Sequence, residues 1–331
     1  MMAQLPGTMK AGVATPDGLE VRSVPTPSPG PTQVLVRVRA AGMNRADLNA
    51  AKGAGVATAD AFGKPIGMEW AGDVVQTGKD VHTFQIGDSV MCSGAGGYAE
   101  FAVAEARRTI RLADGAPTFE EAAALPLALL TAHDAVVTHG QVATGDAVLI
   151  QGGSSAVGLM ASQIAKYFGA GLVIGTSSHA IRRAKLKDFG TDRVVDCNDE
   201  HWIQQVMDAT DGKGVNVIVD MVSGKTVSGS MRAAAVRARM VNVGRLGGTV
   251  GEFDFDLHAA KRIDYRGVTF RTRTPDEVFE IVKRATDDLL PAVYSRKISL
   301  PIAKIFDLSD AKEAHEYMRT NLHFGKIVLI P

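Results

Sequence analysis

The stretch VLIQGGSSAVGLMASQIAKYFGA, residues 148 to 170, changes character twice within 23 residues. Its apolar opening predicts a buried strand, the small residues that follow predict a tight turn, and the rest has the composition and spacing of a helix. Strand, small-residue turn and helix in that order make the opening unit of a dinucleotide-binding sheet, because a pyrophosphate sits on the free amides at the helix start. Set against G-x-G-x-x-G, Gly153 and Gly158 fit, whereas Ser155 stands at the middle glycine and Ala156 follows it. Small residues at 152 to 156 let the backbone approach a phosphate, Gly158 lets the helix pack on the strand, and the hydroxyls of Ser154 and Ser155 are candidate donors. The expected cofactor loop is therefore Gly153, Ser154, Ser155, Ala156, Val157 and Gly158. The plain alternative is an ordinary strand-to-helix turn.

Some twenty residues further on, a site for NAD needs an acidic residue to bind the ribose hydroxyls. The segment IGTSSHAIRRAKLKDFG, residues 174 to 190, has none at its start and offers Ser177, Ser178, Arg182, Arg183 and Lys185 instead. Hydroxyls and cations without a carboxylate suit a 2'-phosphate, which arginine grips with paired hydrogen bonds. NADPH is thus the expected cofactor, held here by Ser178 and Arg182. The alternative for these cations is a solvated helix face, more so for Arg183 and Lys185.

The segments AVLIQG, GLVIGT, RVVD, VNVIVDMV and ARMVNVG alternate with helical stretches, and GVTFRT (267 to 272) offers a sixth strand. Continuous apolar strands separated by helices imply a doubly wound parallel sheet covered on both faces. Before it, from residue 9 to about 112, short β-rich runs such as QVLVRVRAAG alternate with Pro- and Gly-rich turns, which reads as a mostly antiparallel β domain. Between them TFEEAAALPLALLTAHDAVV has helical spacing behind a Thr118 cap. The tail adds a capped helix and a last strand that is expected to return to the first domain.

Composition narrows the function. The 331 residues, 46% apolar and 22% charged, suffice for two domains with sizeable cores. Thirty-six basic residues balance thirty-six acidic ones, so no net field draws nucleic acid or an anionic membrane. MMAQLPGTMK has no signal-peptide pattern and the longest apolar run, AAALPLALL, is far short of a membrane span, so a cytoplasmic location is expected. Cys92 and Cys197 are too few for a disulfide framework or a four-cysteine zinc site.

Several strings carry a resemblance: AGMNRADL (41 to 48), GMEWAGDVVQTG (67 to 78), GDSVMCSGAGGYAEF (87 to 101), AAALPLALLTAHDAV (122 to 136), VLIQGGSSAVG (148 to 158) and HFGKIVL (323 to 329). In order and spacing they resemble the zinc-independent quinone oxidoreductase (zeta-crystallin-like) branch of the medium-chain dehydrogenase/reductase superfamily. That resemblance implies a GroES-like catalytic domain over residues 1 to 124, completed by 266 to 331, and a Rossmann domain over 125 to 265. This branch tolerates serine-containing variants of the phosphate loop. Zinc-dependent relatives carry a cysteine near Asn44 and a histidine at Met68, so no metal is expected. Without a Lewis acid an alcohol is a poor substrate, and an NADPH-dependent reduction of a quinone or α,β-unsaturated carbonyl is the better match.

The resemblance also implies roles. Asn44 matches the asparagine that in relatives lies beside the nicotinamide ribose and the substrate pocket, a place from which a buried amide is expected to orient the acceptor carbonyl; the plain alternative is a loop asparagine capping its neighbours. Thr131 matches a family threonine near the nicotinamide, or is a helix hydroxyl bonded to its own preceding turn. Val243 and Gly244 close the strand on which the family lays its nicotinamide, and Phe270 and Arg273 match the end of the sixth strand, Arg273 near the cofactor or, as the plain alternative, in a surface salt bridge. Lys326 either reaches the cofactor or faces water from a strand. Asp47 is expected to bond local backbone amides, and Tyr98 to pack. Relatives are commonly homodimers that join their sheets edge to edge, and GVTFRT offers such an edge. The rival readings are a non-enzymatic NADPH-binding protein, crystallin-like or regulatory, and an enoyl-thioester or ketone reductase.

Overall fold

A computed structural model describes residues 5–52 and 62–331. In chain order the first half holds β1 (Thr8–Thr15), β2 (Gly18–Pro25), β3 (Gln33–Gly42), α1 (Arg45–Ala50), β4 (Glu69–Thr77), β5 (Ser89–Ser93), β6 (Phe101–Glu105), β7 (Thr109–Arg111) and α2 (Phe119–Ala123). The antiparallel ribbon β1–β2 stands apart from a larger sheet ordered through β3, β4, β5 and β7, with β6 on β3. Strand β3 is buried over most of its length because partners cover both of its edges. Trp70, Tyr98, Val34, Val36 and Met43 fill the core beneath.

The expected helix over 118 to 137 is interrupted. Thr118 caps α2, accepting from Glu121 N, and α3 (Pro126–His133) begins at Pro126, since proline lacks the N–H that a continuous helix would use. Past His133 the turns widen to a π-helix over Asp134–His139, where Gly140 N bonds Ala135 O.

Next come β8 (Ala147–Gln151), α4 (Ala156–Tyr167), β9 (Leu172–Thr176), α5 (Ala180–Ala184), β10 (Arg193–Val195), α6 (Trp202–Ala209), β11 (Val215–Asp220), α7 (Val227–Ala233), β12 (Ala234–Asn242), α8 (Phe255–Lys261) and β13 (Asp264–Gly267). All six strands run parallel in the order β10-β9-β8-β11-β12-β13, so the direction of winding reverses between β8 and β11. This is the doubly wound Rossmann order, whose ligands lie outside the carboxyl ends of the strands at the reversal.

The sixth strand differs from expectation. It spans Asp264–Gly267, and past it Val268 N still bonds β12, at Asn242 O. Beyond it Thr269 Oγ1 accepts from Arg271 N while Arg273 Nε donates to Thr269 O, closing a turn where GVTFRT suggested a strand. Phe270 and Arg273 therefore sit in a loop.

The chain closes with α9 (Pro275–Tyr294), β14 (Ile302–Asp307), α10 (Ala311–Arg319) and β15 (Lys326–Ile330). As expected, the last strand returns to the first half: β15 pairs antiparallel with β3, Leu329 opposite Ala41, and parallel with β14. The chain thus divides into two compact units, Met1–Leu127 with Val282–Pro331, and Ala128–Ile281. Among the described residues no helix is long and apolar enough to cross a membrane.

Candidate active site

In the parallel-sheet unit the turn after β8 is built around close approach. A Cβ on Gly158 would lie 2.5 Å from Gly152 O and 2.8 Å from Gly153 Cα, so only glycine lets α4 start this near the strand. Gly152 has φ +75°, and its amide donates to Thr176 Oγ1 at 3.1 Å while Gly153 N donates to Thr176 O at 2.8 Å, which fixes the turn against β9. Ser155 is the N-cap: its Oγ accepts from Gly158 N at 3.1 Å and donates to Gly152 O at 2.9 Å. Its one hydroxyl proton is thereby spent within the turn. Ser154 instead accepts from Ser177 Oγ at 3.1 Å, so its own proton stays available to a phosphate. The amides of Ala156 and Val157 occupy the first turn of α4, where helix N–H groups have no partner in their own helix. Glycine at 158 and a capped twelve-residue helix suit a pyrophosphate.

The expected 2'-phosphate residues separate by environment. Ser178 is exposed just before α5, and Arg182 is half-buried on that helix. Arg183 is committed elsewhere, with Nη1 donating to Ser177 O at 2.9 Å and pairing Asp196 at 2.9 Å. It ties the end of β9 to the end of β10.

At the carboxyl end of β11, Asp220 is buried and its Oδ1 accepts from Val222 N and Ser223 N at 2.8 and 2.9 Å. Burial pushes its carboxyl above the ordinary range. Its carbonyl receives Val243 N and Gly244 N at 2.8 and 3.1 Å, and a Cβ on Gly244 would meet Met221 O at 2.6 Å. These bonds set the backbone of Val243 and Gly244 close to β11. Beside them a cavity of about 310 Å³ opens at the ends of β12 and β13. Arg273 lies over the Phe270 ring and pairs with Asp134 at 2.6 Å, the carboxylate being 2% exposed. Its guanidinium is thus largely consumed by a buried carboxylate on the π-helix. Thr131 is half-buried on α3, and no described hydrogen bond uses its hydroxyl.

The other unit holds the polar cluster that surrounds Asn44. Pairing of β3 with β4 sets Gly42 opposite Glu69, and Met43 N donates to Ile327 O of β15. These registers bring Asn44, Glu69 and Lys326 together. Lys326 Nζ donates to Glu69 Oε1 and, at 2.8 Å, to Asn44 Oδ1. Asn44 Nδ2 donates to Glu69 Oε1 at 2.8 Å, and Glu69 Oε2 accepts from Leu127 N at 2.7 Å. Lys326 is 2% exposed and Glu69 0%, so the reading in which Lys326 faces water is corrected: its strand is covered and its charge is paired. Gly42 makes the room, because a Cβ there would lie 2.7 Å from Glu69 Oε1 and 2.3 Å from Ala123 O.

Asp47 behaves as expected. Its Oδ2 accepts from Asn44 N at 2.7 Å, closing the start of α1, and from Tyr98 OH at 2.9 Å. Complete burial pushes its carboxyl up to about 7 despite those bonds, and Tyr98 is pushed well above its ordinary value, mainly by burial. The Tyr98 and His315 rings meet edge-to-face with centroids 6.0 Å apart, and burial, with help from Arg319, pushes His315 down to about 4. Glu69 and Gly42 were not singled out from sequence as site residues. The signal was a carboxylate inside an apolar strand, GMEWAG, which requires a buried cation.

Among the described residues no three His, Cys, Asp or Glu side chains converge as metal ligands.

Comparison with known proteins agrees with this architecture. Residues 30–114 match the alcohol dehydrogenase GroES-like domain family, and residues 156–287 match the zinc-binding dehydrogenase family. A quinone oxidoreductase of Pseudomonas aeruginosa is 29% identical over 97% of this chain and 98% of its own length. A solved mycobacterial quinone oxidoreductase is 30% identical, covers 98% of this chain and 100% of its own, and superposes with a TM-score of 0.84. A mycobacterial protein solved in complex with NADPH is 29% identical, with coverage of 98% and 100% and a TM-score of 0.85. Several curated relatives are polyketide synthases, much longer proteins of which the chain spans 8% to 18%.

Proposed function

Because the chain belongs to the quinone oxidoreductase branch of the medium-chain dehydrogenase/reductase superfamily, we propose that it is an NADPH-dependent reductase of quinones or α,β-unsaturated carbonyls that works without a metal ion. The observation that carries this reading is Asn44, a half-buried carboxamide anchored by a buried carboxylate and ammonium. The family's zinc-dependent members place a thiolate and an imidazole where this chain has Asn44 and Met68, and neither of these is a metal ligand of the usual kind.

NADPH, when bound, supplies the hydride and leaves as NADP⁺. The residues assigned to it are Gly153, Ser154, Ser155, Ala156, Val157 and Gly158 at the pyrophosphate, Ser178 and Arg182 at the 2'-phosphate, and Val243 and Gly244 towards the nicotinamide. Ser155 acts through its cap rather than as a donor. Thr131, Phe270 and Arg273 complete the expected set, with Arg273 acting through its bond to Asp134. Addition of a hydride to a conjugated acceptor leaves negative charge on oxygen, which an amide N–H of Asn44 stabilises before water supplies the proton. We further infer a cytoplasmic homodimer.

The matches to polyketide synthases favour a second substrate class, an enoyl thioester, whose chemistry at the acceptor is the same. The deciding experiment mixes the purified protein and NADPH with 1,4-benzoquinone, a simple enone and an enoyl thioester. Loss of NADPH absorbance with a quinone or enone is expected, and preference for the thioester selects the second class. No loss with any acceptor leaves a non-enzymatic NADPH-binding protein and overturns the proposal.

A further inference from the structure

Asn44, Glu69 and Lys326 are joined in a closed triangle: ammonium to carboxylate, ammonium to amide oxygen, amide nitrogen to the same carboxylate oxygen. Chemistry fixes the orientation of the amide. An ammonium can only donate, so the atom facing Lys326 is oxygen, and an ionised carboxylate can only accept, so the atom facing Glu69 is nitrogen. Turning the amide over would set N–H against ammonium and C=O against carboxylate. Glu69 is itself held on its far oxygen by Leu127 N, and Asp47 holds the backbone of Asn44, which leaves the carboxamide no freedom.

Stability alone does not account for such an arrangement. A buried ion pair returns little net stability, since desolvation offsets its attraction, and an apolar pair of similar volume does as well. The triangle has one half-buried member, and that member is Asn44. One of its two amide protons is taken by Glu69, and among the described residues nothing accepts the other. Donation from the ammonium into the amide oxygen also polarises the group and strengthens its remaining N–H as a donor.

Building on the reductase reading, we propose that Glu69 and Lys326 are positioning residues, which lock and polarise Asn44 so that its second N–H is presented to the carbonyl oxygen of the substrate. The test is a double-mutant cycle on hydride transfer to 1,4-benzoquinone. Lys326→Met and Asn44→Ala should each lower kcat about tenfold or more while leaving the KM for NADPH nearly unchanged, as for loss of an oxyanion donor. The double variant should be no slower than the worse single variant, because Lys326 acts only through Asn44. Additive losses overturn the inference.

Should Lys326→Met leave Glu69 unpaired and the protein unfolded, Glu69→Gln with Lys326→Met removes both charges, and full kcat in that folded variant also overturns it. An arm independent of turnover follows the side-chain amide of Asn44 by ¹⁵N NMR in the wild type and in the doubly neutral variant. A shifted resonance and faster proton exchange are expected, and an unchanged amide overturns the proposal. If the wild type reduces no acceptor, the reductase reading fails on its own, and the NMR arm still decides whether the pair orients Asn44.

Discussion

At the residue scale, charge and burial assign different work to neighbouring side chains. Arg182→Ala should raise the KM for NADPH about ten- to a hundredfold, the equivalent of roughly 1.5–3 kcal/mol of charge-assisted bonding, with kcat and the NADH parameters nearly unchanged. Arg183→Ala should act instead on stability, because its partners are Ser177 O and Asp196; a loss of about 1 kcal/mol is expected in a denaturant titration. Asp47 and His315 make a pH prediction. The Asp47 carboxyl, raised from 3.8 to about 7, keeps its proton in the folded state, so its contribution is full below about pH 4 and is lost as pH rises to 7. His315, lowered from 6.5 to about 4, is the reverse: its contribution is present above 6.5 and is lost as pH falls towards 4. The two slopes oppose each other across pH 4 to 6.5, each of about 1.4 kcal/mol for every pH unit. Asp47→Asn should therefore unmask a stability that climbs through this window, and His315→Phe one that declines. Chemical denaturation at about pH 5 and 6.5 checks both, and equal slopes in the two variants would refute the assignment.

At the element scale, two glycines set what their strands can hold. Gly158→Ala would push α4 off the turn at Gly152 and Gly153, so NADPH affinity and thermal stability should fall together, whereas Ser155→Ala loses only the cap, about 1 kcal/mol. Calorimetric melting and an NADPH titration of both variants separate the two. Gly42→Ala forces the Glu69 carboxylate and the Ala123 carbonyl apart from β3. It should reduce kcat more than NADPH binding, and a variant with normal turnover would show that the triangle tolerates displacement.

In the molecule as a whole, β13 pairs only with β12 among the described residues, which leaves its other edge open, and Val250 and Phe255 are 87% and 78% exposed. An open edge and exposed apolar side chains invite pairing with a second copy. Light scattering at micromolar concentration should give twice the 34.9 kDa chain mass, and Phe255→Glu should shift the protein towards monomer. A monomeric wild type would contradict the dimer.

Local patterning determined the architecture. The strand, small-residue turn and helix at 148 to 170, and the apolar runs after it, specify the parallel sheet because each segment's own periodicity dictates what it must bury. The same local rules misplaced the sixth strand, since GVTFRT has strand composition and its turn arises from bonds to Thr269. Asn44 was legible as a candidate through the string around it. Its orientation was not, because Glu69 and Lys326 lie 25 and 282 positions away in the chain. Only the pairing of β3 with β4 and β15 brings a carboxylate and an ammonium to one amide, and burial there decides which protons each can give or accept.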